Sequence, residues 1–369
     1  MFFCPVSDEH SESNSEQKNT VMSVVTVVIT GAAGQIGYSL LPIIASGQVF
    51  GSDTTVHLRL LEIPQGLPML QGVKMELDDC AYDLLGDVLC TTDPLAAFQD
   101  ADYAFLVGGF PRRPGMLRKD LIQMNTTIFL SMGQAIEAVA SANIKVLVVA
   151  NPANTNALVT MKQCTRVPSK NFCAMTRLDY NRASSQVAFK LGTSVKNIKN
   201  IIIWGNHSAT QYPDPTTDGY LADADGTKKE SLAVLLSAEE EWLRGAFVST
   251  VQQRGKEVMN ARGKSSALSA ANAAADCMKT WRNGTKQGET VAMAVYNEQG
   301  HYGVDSDVFF SFPCECKNGD WIVKTGLEIS EYSQEKIKTS EIELIEERMN
   351  AMEILSSTSD GGGEGGKKE

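Results

Sequence analysis

The chain has 369 residues, enough for two domains of ordinary size, and its 43% hydrophobic and 21% charged residues are the proportions expected of a soluble globular protein. A formal net charge of −11 argues against nucleic acid or an anionic membrane surface as a partner and leaves room only for a local basic pocket that takes a small anion. No apolar run is long enough to span a bilayer. The eight cysteines form no repeated C-x-x-C pair, and Cys314-x-Cys316 completes no zinc pattern. Reduced thiols in a cytosolic protein, with no metal, are the expectation.

Residues 1–21 open apolar and turn acidic through Ser7-Asp8-Glu9-His10-Ser11-Glu12-Ser13, a poor signal peptide and too acidic for a transit peptide. They read as a disordered extension. The first organised stretch is Val24 to Gly37. A β-branched run, Val24-Val25-Thr26-Val27-Val28-Ile29, reads as a strand buried on both faces. Gly31-Ala32-Ala33-Gly34-Gln35-Ile36-Gly37 follows as a tight turn opening a helix. Free N–H groups at that helix start suit a phosphate. Val56 to Glu62 is a second strand, and Glu62 lies about 25 residues beyond Gly37, near the interval that sets a carboxylate beside a ribose. Such a carboxylate accepts two ribose hydroxyls and repels a 2′-phosphate.

Gln71 to Leu85 reads as a helix, Tyr103 to Val107 as a strand ending in Gly108-Gly109, Asp120 to Ala142 as a helix, and Lys145 to Ala150 as a strand leading into Asn151-Pro152. Strands alternating with helices predict an α/β fold, a Rossmann-type doubly wound parallel sheet with ligands at the carboxyl ends of its strands. Gly31, Glu62, Gly108 and Asn151 all fall at those ends. The second half mixes patterns: a strand at Ile198–Trp204, helices over 238–263, 265–280 and 333–355, and strands over 290–296 and 308–313. It reads as a mixed α+β catalytic domain. The expected boundaries are 1–21, 22–175, 176–355 and a disordered Gly-rich tail, 356–369.

Three clusters carry chemistry. Pro111-Arg112-Arg113-Pro114-Gly115-Met116-Leu117-Arg118 is a loop with three arginines in an acidic chain, suited to gripping carboxylates or closing as a lid, or simply a solvated basic loop. Asp179 and Arg182 are three apart and share a helix face, as an orienting acid with a substrate-gripping base or as an ordinary ion pair. His207, one of four histidines, follows a buried strand in a Gly-Asn turn, where it can act as general acid and base or merely satisfy the turn. No Gly-x-Ser-x-Gly elbow competes.

These stretches, in order, together with Asn151-Pro152-Ala153-Asn154-Thr155-Asn156, Thr176-Arg177-Leu178-Asp179, Trp204-Gly205-Asn206-His207-Ser208, Thr210-Gln211-Tyr212-Pro213 and Val251-Gln252-Gln253-Arg254-Gly255, resemble the cytosolic-type NAD-dependent malate dehydrogenases. The resemblance runs from about Val24 to Leu355 and implies these roles. His207 exchanges the hydroxyl proton of malate, and Asp179 holds and stabilises its imidazolium. Arg182 holds the C1 carboxylate, Arg112 the distal carboxylate that separates malate from lactate, and Arg118 polarises the carbonyl oxygen. Asn151 touches substrate and cofactor. Gly31, Gly34, Gln35, Ile36 and Gly37 cradle the pyrophosphate of NAD, Glu62 its ribose, and Gly108, Asn125 and Val149 are further cofactor contacts. A cytoplasmic homodimer acting on a small molecule is implied. Lactate dehydrogenases and the related aromatic 2-hydroxyacid dehydrogenases lack arginine at the position of Arg112. Glu62 replaces the family's usual aspartate, Leu117 a common acid, Met132 a polar cofactor contact, Ala150 a glycine and Tyr180 a frequent histidine. A broad 2-hydroxyacid dehydrogenase and an inactive NAD-binding regulatory protein are the competing expectations.

Overall fold

The computed structural model describes residues 23–111, 116–223 and 226–360. The first half supplies strands β1 (Ser23–Thr30), β2 (Thr54–Leu61), β3 (Leu85–Thr91), β4 (Tyr103–Leu106), β5 (Lys145–Val148) and β6 (Phe172–Ala174). Between them lie helices α1 (Gln35–Ala45), α2 (Leu67–Asp79), α3 (Pro94–Phe98), α4 (Arg118–Val139) and α5 (Ala153–Met161). After α6 (Arg177–Leu191) come five short strands, β7 (Ile198–Lys199), β8 (Ile202–Trp204), β9 (Tyr212–Asp214), β10 (Tyr220–Ala222) and β11 (Lys228–Ser231). Helices α7 (Leu232–Leu235), α8 (Glu240–Trp242), α9 (Val248–Arg262) and α10 (Leu268–Asn283) lead to β12 (Val291–Tyr296), β13 (Phe309–Lys317), β14 (Asp320–Val323) and the last helix, α11 (Glu331–Asp360).

Among the described residues, the main sheet has nine strands in the order β3-β2-β1-β4-β5-β6-β12-β13-β14. Its first six are parallel, and β12 joins β6 antiparallel, so one sheet passes from the first half into the second. The expected doubly wound sheet is present. Val27 and Ile29 pack into one core cluster and Val28 into the other, which is why β1 has no polar face. Register fixes the functional edge: Thr30 pairs with Leu61 and Leu106, Leu106 with Val148, and Val148 with Ala174. Five strands therefore end together, and the residues just past them share one rim.

The halves are joined by helices as well. The alanine face of α10, including Ala270, Ala271 and Ala274, packs on α1, while α11 packs on α4 and α5. Small side chains let two helix axes approach closely. Two glycines are sterically required at the opening turn. Gly31 has φ +63°, and a Cβ there would lie 2.6 Å from Gly108 Cα. A Cβ on Gly37 would lie 2.7 Å from Ala32 backbone, so α1 can rest on the turn only with glycine there.

Several boundaries differ from expectation. The helix placed over 71–85 is α2, which ends at Asp79, and its last residues belong to the approach to β3. β3 is a half-exposed edge strand interrupted by Gly86 and Asp87, so it lacks the apolar alternation that marks a strand. The helix over 238–263 contains a π turn at Leu243–Phe247, and Gly263 (φ +67°) ends it. Ser265 to Ala267, expected inside the next helix, precede α10. The final helix runs to Asp360, into the stretch expected to be disordered from 356; Glu353 and Ile354 accept hydrogen bonds from Ser356 and Ser357 and continue its turns. The expected N-terminal extension and the glycine run from 361 lie outside the described residues.

Gly37→Ala is expected to destabilise the fold by about 1–3 kcal/mol, the cost of forcing a methyl against rigid backbone. A lower urea midpoint at unchanged slope checks this; an unchanged midpoint contradicts it.

Candidate active site

A cavity of about 990 Å³ opens over the shared strand ends. Its walls include Gly31, Gly34, Gln35, Ile36, Glu62 and Gly108, and its far side is the Ser265–Ala267 segment before α10. No side chain caps the N-terminus of α1, so its first-turn N–H groups remain available to an anion at the positive end of the helix. Thr30 Oγ1 accepts a 3.0 Å hydrogen bond from Gly108 N–H and locks the two strand ends together. The Glu62 carboxylate stands at the rim, accepting from Ala33 N–H (3.3 Å) and Ile63 N–H (2.9 Å). Gly66 makes room for the longer acid: a Cβ there would lie 2.4 Å from Glu62 Cγ. An uncapped helix start, bare glycine backbone and an anionic rim fit a dinucleotide with free ribose hydroxyls.

The chemistry sits beside this cavity. Asp179, in the first turn of α6, is fully buried. Its Oδ2 meets His207 Nδ1, and its Oδ1 accepts from Arg182 Nη1 at 3.1 Å. Burial pushes this carboxyl up, but the charges and hydrogen bonds of His207 and Arg182, with a bond from Gln211, outweigh it and hold Asp179 below the usual aspartate range. An ionised carboxylate only accepts, so Nδ1 of His207 carries a proton toward Asp179, and Nε2 is the ring nitrogen left for a substrate. The histidine loop is tied down elsewhere too. His207 N–H donates to Asn154 Oδ1 at 3.1 Å, and Asn154 Nδ2 donates to Phe309 O at 2.9 Å. Gly205 and Ser311 exchange backbone bonds of 3.3 and 2.9 Å.

Arg182 Nη2 points on to Ser266 Oγ at 3.5 Å, and Ser266 is part of the cavity wall. Gly255 of α9 passes Arg182, where a Cβ would stand 3.6 Å from Nη2. The line Asp179–Arg182–Ser266 therefore joins the buried acid–base pair to the dinucleotide-sized cavity.

A model of the lactate/malate dehydrogenase NAD binding domain matches residues 25–173, and one of the same enzymes' alpha/beta C-terminal domain matches residues 176–354. The chain belongs to the lactate/malate dehydrogenase family. It is 47% identical over 333 residues to a probable malate dehydrogenase 3 of Dictyostelium discoideum, covering 90% of this chain and 98% of that one. It is also 47% identical over 332 residues to a malate dehydrogenase of Nicotiana tabacum, with the same coverages of 90% and 98%. Among solved structures, a malate dehydrogenase of Naegleria fowleri superposes with a TM-score of 0.83 at 43% identity, covering 90% of this chain and 98% of that one. A Trichomonas vaginalis lactate dehydrogenase in complex with NADH and oxamate superposes at 0.85 with 38% identity, covering 90% and 99%. The chain thus carries this family's NAD-binding domain, and its cofactor is NAD.

The structure brings Gly31, Gly34, Gln35, Ile36, Glu62 and Gly108 to one cavity and His207, Asp179 and Arg182 into one hydrogen-bonded group. Gly37 lies behind the turn, buried against it. Asn151 is exposed just past β5, and Val149 is buried beside it. Asn125, expected as a cofactor contact, engages the loop that follows β4. It is fully buried, and its amide accepts from Phe110 N–H (2.8 Å) and donates to Phe110 O (3.2 Å) and Leu121 O (3.0 Å). It braces the loop that floors the cavity. Arg112 and Arg113 lie outside the described residues, as does the side chain of Arg118, whose backbone opens α4. Met132 lines the cavity, consistent with a cofactor-facing position that has lost its polar group. Ser266, Asn154 and Gln211 were missed by sequence reasoning; only the quoted Asn-Pro-Ala-Asn and Thr-Gln motifs hinted at the last two.

Asp179→Asn is expected to lower kcat roughly 10²- to 10⁴-fold while NADH still binds, because an amide leaves the imidazolium without its counter-charge. It also removes stability with a definite pH dependence. The folded carboxyl lies below its ordinary value of about 3.9, so its contribution is complete above that value and is lost as pH falls through the folded one. The variant should be less stable than the native chain at neutral pH and converge with it in acid; a pH-independent difference contradicts the assignment.

Proposed function

We propose that the chain catalyses reversible hydride transfer between (S)-malate and NAD, giving oxaloacetate and NADH. The observation that carries the reading is the Asp179–His207 pair, bonded through Arg182 to the wall of the NAD cavity. His207 Nε2 takes the hydroxyl proton of malate and returns it in the reverse direction. Asp179 keeps the ring in its Nδ1–H tautomer and offsets the positive charge that proton transfer creates. Arg182, already within bonding distance of Asp179, presents the rest of its guanidinium to the C1 carboxylate. Asn151, at the carboxyl end of β5, meets both substrate and cofactor.

Arg112 meets the distal carboxylate, and Arg118 polarises the carbonyl oxygen; both assignments rest on the sequence motif. The glycine turn would hold the NAD pyrophosphate and Glu62 its adenosine ribose. NAD, when bound, supplies the hydride acceptor. The Glu62 carboxylate at the rim favours NAD over NADP, since a 2′-phosphate there meets like charge. Among the described residues no helix is long and apolar enough to cross a membrane. A cytoplasmic homodimer is our reading, supported by the resemblance to the cytosolic branch alone.

The likeness to the Trichomonas vaginalis lactate dehydrogenase, at least as close in fold as that to the Naegleria enzyme, favours one alternative: a 2-hydroxyacid dehydrogenase of different or broader substrate range. The backbone does not separate the two. Arg112 supports the malate reading, because a guanidinium desolvated without a carboxylate partner costs about 1–3 kcal/mol or more.

Purified protein should oxidise NADH with oxaloacetate and hardly with pyruvate, phenylpyruvate or, as cofactor, NADPH. Comparable rates with all three keto acids would sink the malate reading, and NADH binding without turnover would favour a regulatory protein. Arg112→Gln should reduce the preference for oxaloacetate over pyruvate by 10-fold or more, about 1.4 kcal/mol per tenfold; unchanged selectivity removes Arg112 from this role. His207→Asn should abolish turnover and spare NADH binding, and the two are separated by activity and fluorescence titration.

A further inference from the structure

The last helix reaches under the histidine loop with three side chains of one face. Ser340 Oγ accepts from Asn206 N–H at 2.8 Å and bonds Thr210 Oγ1 at 2.9 Å. Glu343 Oε2 accepts from Asn206 Nδ2 (2.9 Å), from Thr210 Oγ1 (2.6 Å) and from Ser208 Oγ. Glu347, buried one turn on, accepts from Asn206 Nδ2 (2.8 Å) and from Thr155 Oγ1 of α5. The approach depends on Gly205: its φ is +98°, and a Cβ there would lie 2.1 Å from Ser340 Oγ.

We propose that Glu343 is a positioning residue for His207. One carboxylate oxygen collects donors from the residue before the histidine, the residue after it and the one two further on. Asp179 fixes the ring at Nδ1 and Asn154 fixes the His207 amide, but neither restrains the chain on either side. Glu343 does, and Glu347 anchors the same Asn206 amide to α5. Acid–base catalysis requires the imidazole within about 0.5 Å and 10–20° of its productive pose. A charged carboxylate oxygen holds such donors more strongly than the neutral amide oxygen that would replace it. The C-terminal helix is in this way part of the machinery that aims the histidine, although it touches no substrate.

The inference rests on the malate dehydrogenase reading, so its test includes a measurement that needs no turnover. Glu343→Gln is compared in the full chain with Glu346→Gln, which removes the same charge from an exposed position on the same helix. Glu343→Gln is expected to lower kcat for oxaloacetate reduction about 10- to 100-fold with KM for NADH unchanged. It should raise the isotope effect on kcat from NADH deuterated at the transferred position, because mispositioning slows the chemical step itself. It should also shift the His207 Nδ1 proton and nitrogen resonances of the free enzyme, assigned with His207→Asn. Glu346→Gln should change none of these. An unchanged isotope effect and unchanged resonances, with any activity loss matching loss of folded protein, would overturn the proposal. If Glu343→Gln does not fold, Thr210→Val removes one donor from the same oxygen and should move all three readouts in the same direction by less. Absence of oxaloacetate reduction in the native chain would fail the functional reading, and the resonance shift would still decide the positioning claim.

Discussion

The site depends on one buried charge. Asp179 is fully enclosed, and removing an ionised carboxylate from water costs several kcal/mol. Hydrogen bonds to charged groups return about 1.5–3 kcal/mol each, so a single partner does not offset the burial. Two do so together: His207 on one oxygen and Arg182 on the other. On the proposed reading the pairing couples catalysis to substrate recognition, because the carboxylate that would steady the imidazolium also orients the guanidinium meant for the substrate. Neither partner can be removed without leaving Asp179 underpaired, so each substitution in this group acts on both neighbours.

Everything larger serves to bring those three side chains to the cavity. The parallel register makes β1, β2, β4, β5 and β6 end near one another, and the turns that follow inherit that alignment. Asp179 is placed by the turn from β6 into α6, and His207 by the end of β8. These two are joined by Thr176 Oγ1 and Ser311 Oγ at 2.8 Å and by the Gly205–Ser311 backbone bonds, so β13 acts as the jig between them. The continuation of the sheet across β6 and β12 keeps the acid–base pair and the cofactor cavity in one rigid frame. Near-attack geometry tolerates little displacement, and a shared sheet is the stiffest connection available.

Much of this was legible in the sequence. The β-branched run from Val24 and the glycine turn predicted β1 and α1 correctly because both faces of the strand are covered and Gly31 and Gly37 meet hard steric limits. Asp179 and Arg182 were legible as a pair because helical spacing alone puts them on one face. β3 was not legible, since an edge strand exposed on much of its surface carries no apolar period. The bracing role of Asn125 was not legible, because sequence position within α4 does not show that its amide holds the preceding loop; its burial and bonds to Phe110 do. The role of α11 was hidden for a related reason. The sequence marks only a helix over 333–355, yet Ser340 and Glu347 are buried by contacts with residues more than a hundred positions earlier.

The division of labour within the chain explains why its fold and its substrate are separate questions. The acid–base pair and the NAD cavity are built on sheet ends and helix starts, features common to any chain that folds this way. The Trichomonas lactate dehydrogenase and the Naegleria malate dehydrogenase accordingly superpose on this chain almost equally well. On the proposed reading substrate choice falls instead to the connection between β4 and α4, whose described ends are held independently of the acid–base pair. Asn125 clasps Phe110 at the start, and Asp120 accepts from Leu117 N–H at 3.1 Å at the end. Residues between two such anchors can change without disturbing Asp179 or His207. On the proposed reading a single guanidinium at position 112 would be enough to select a second carboxylate, because its cost when unpaired is comparable to the energy that separates a good substrate from a poor one.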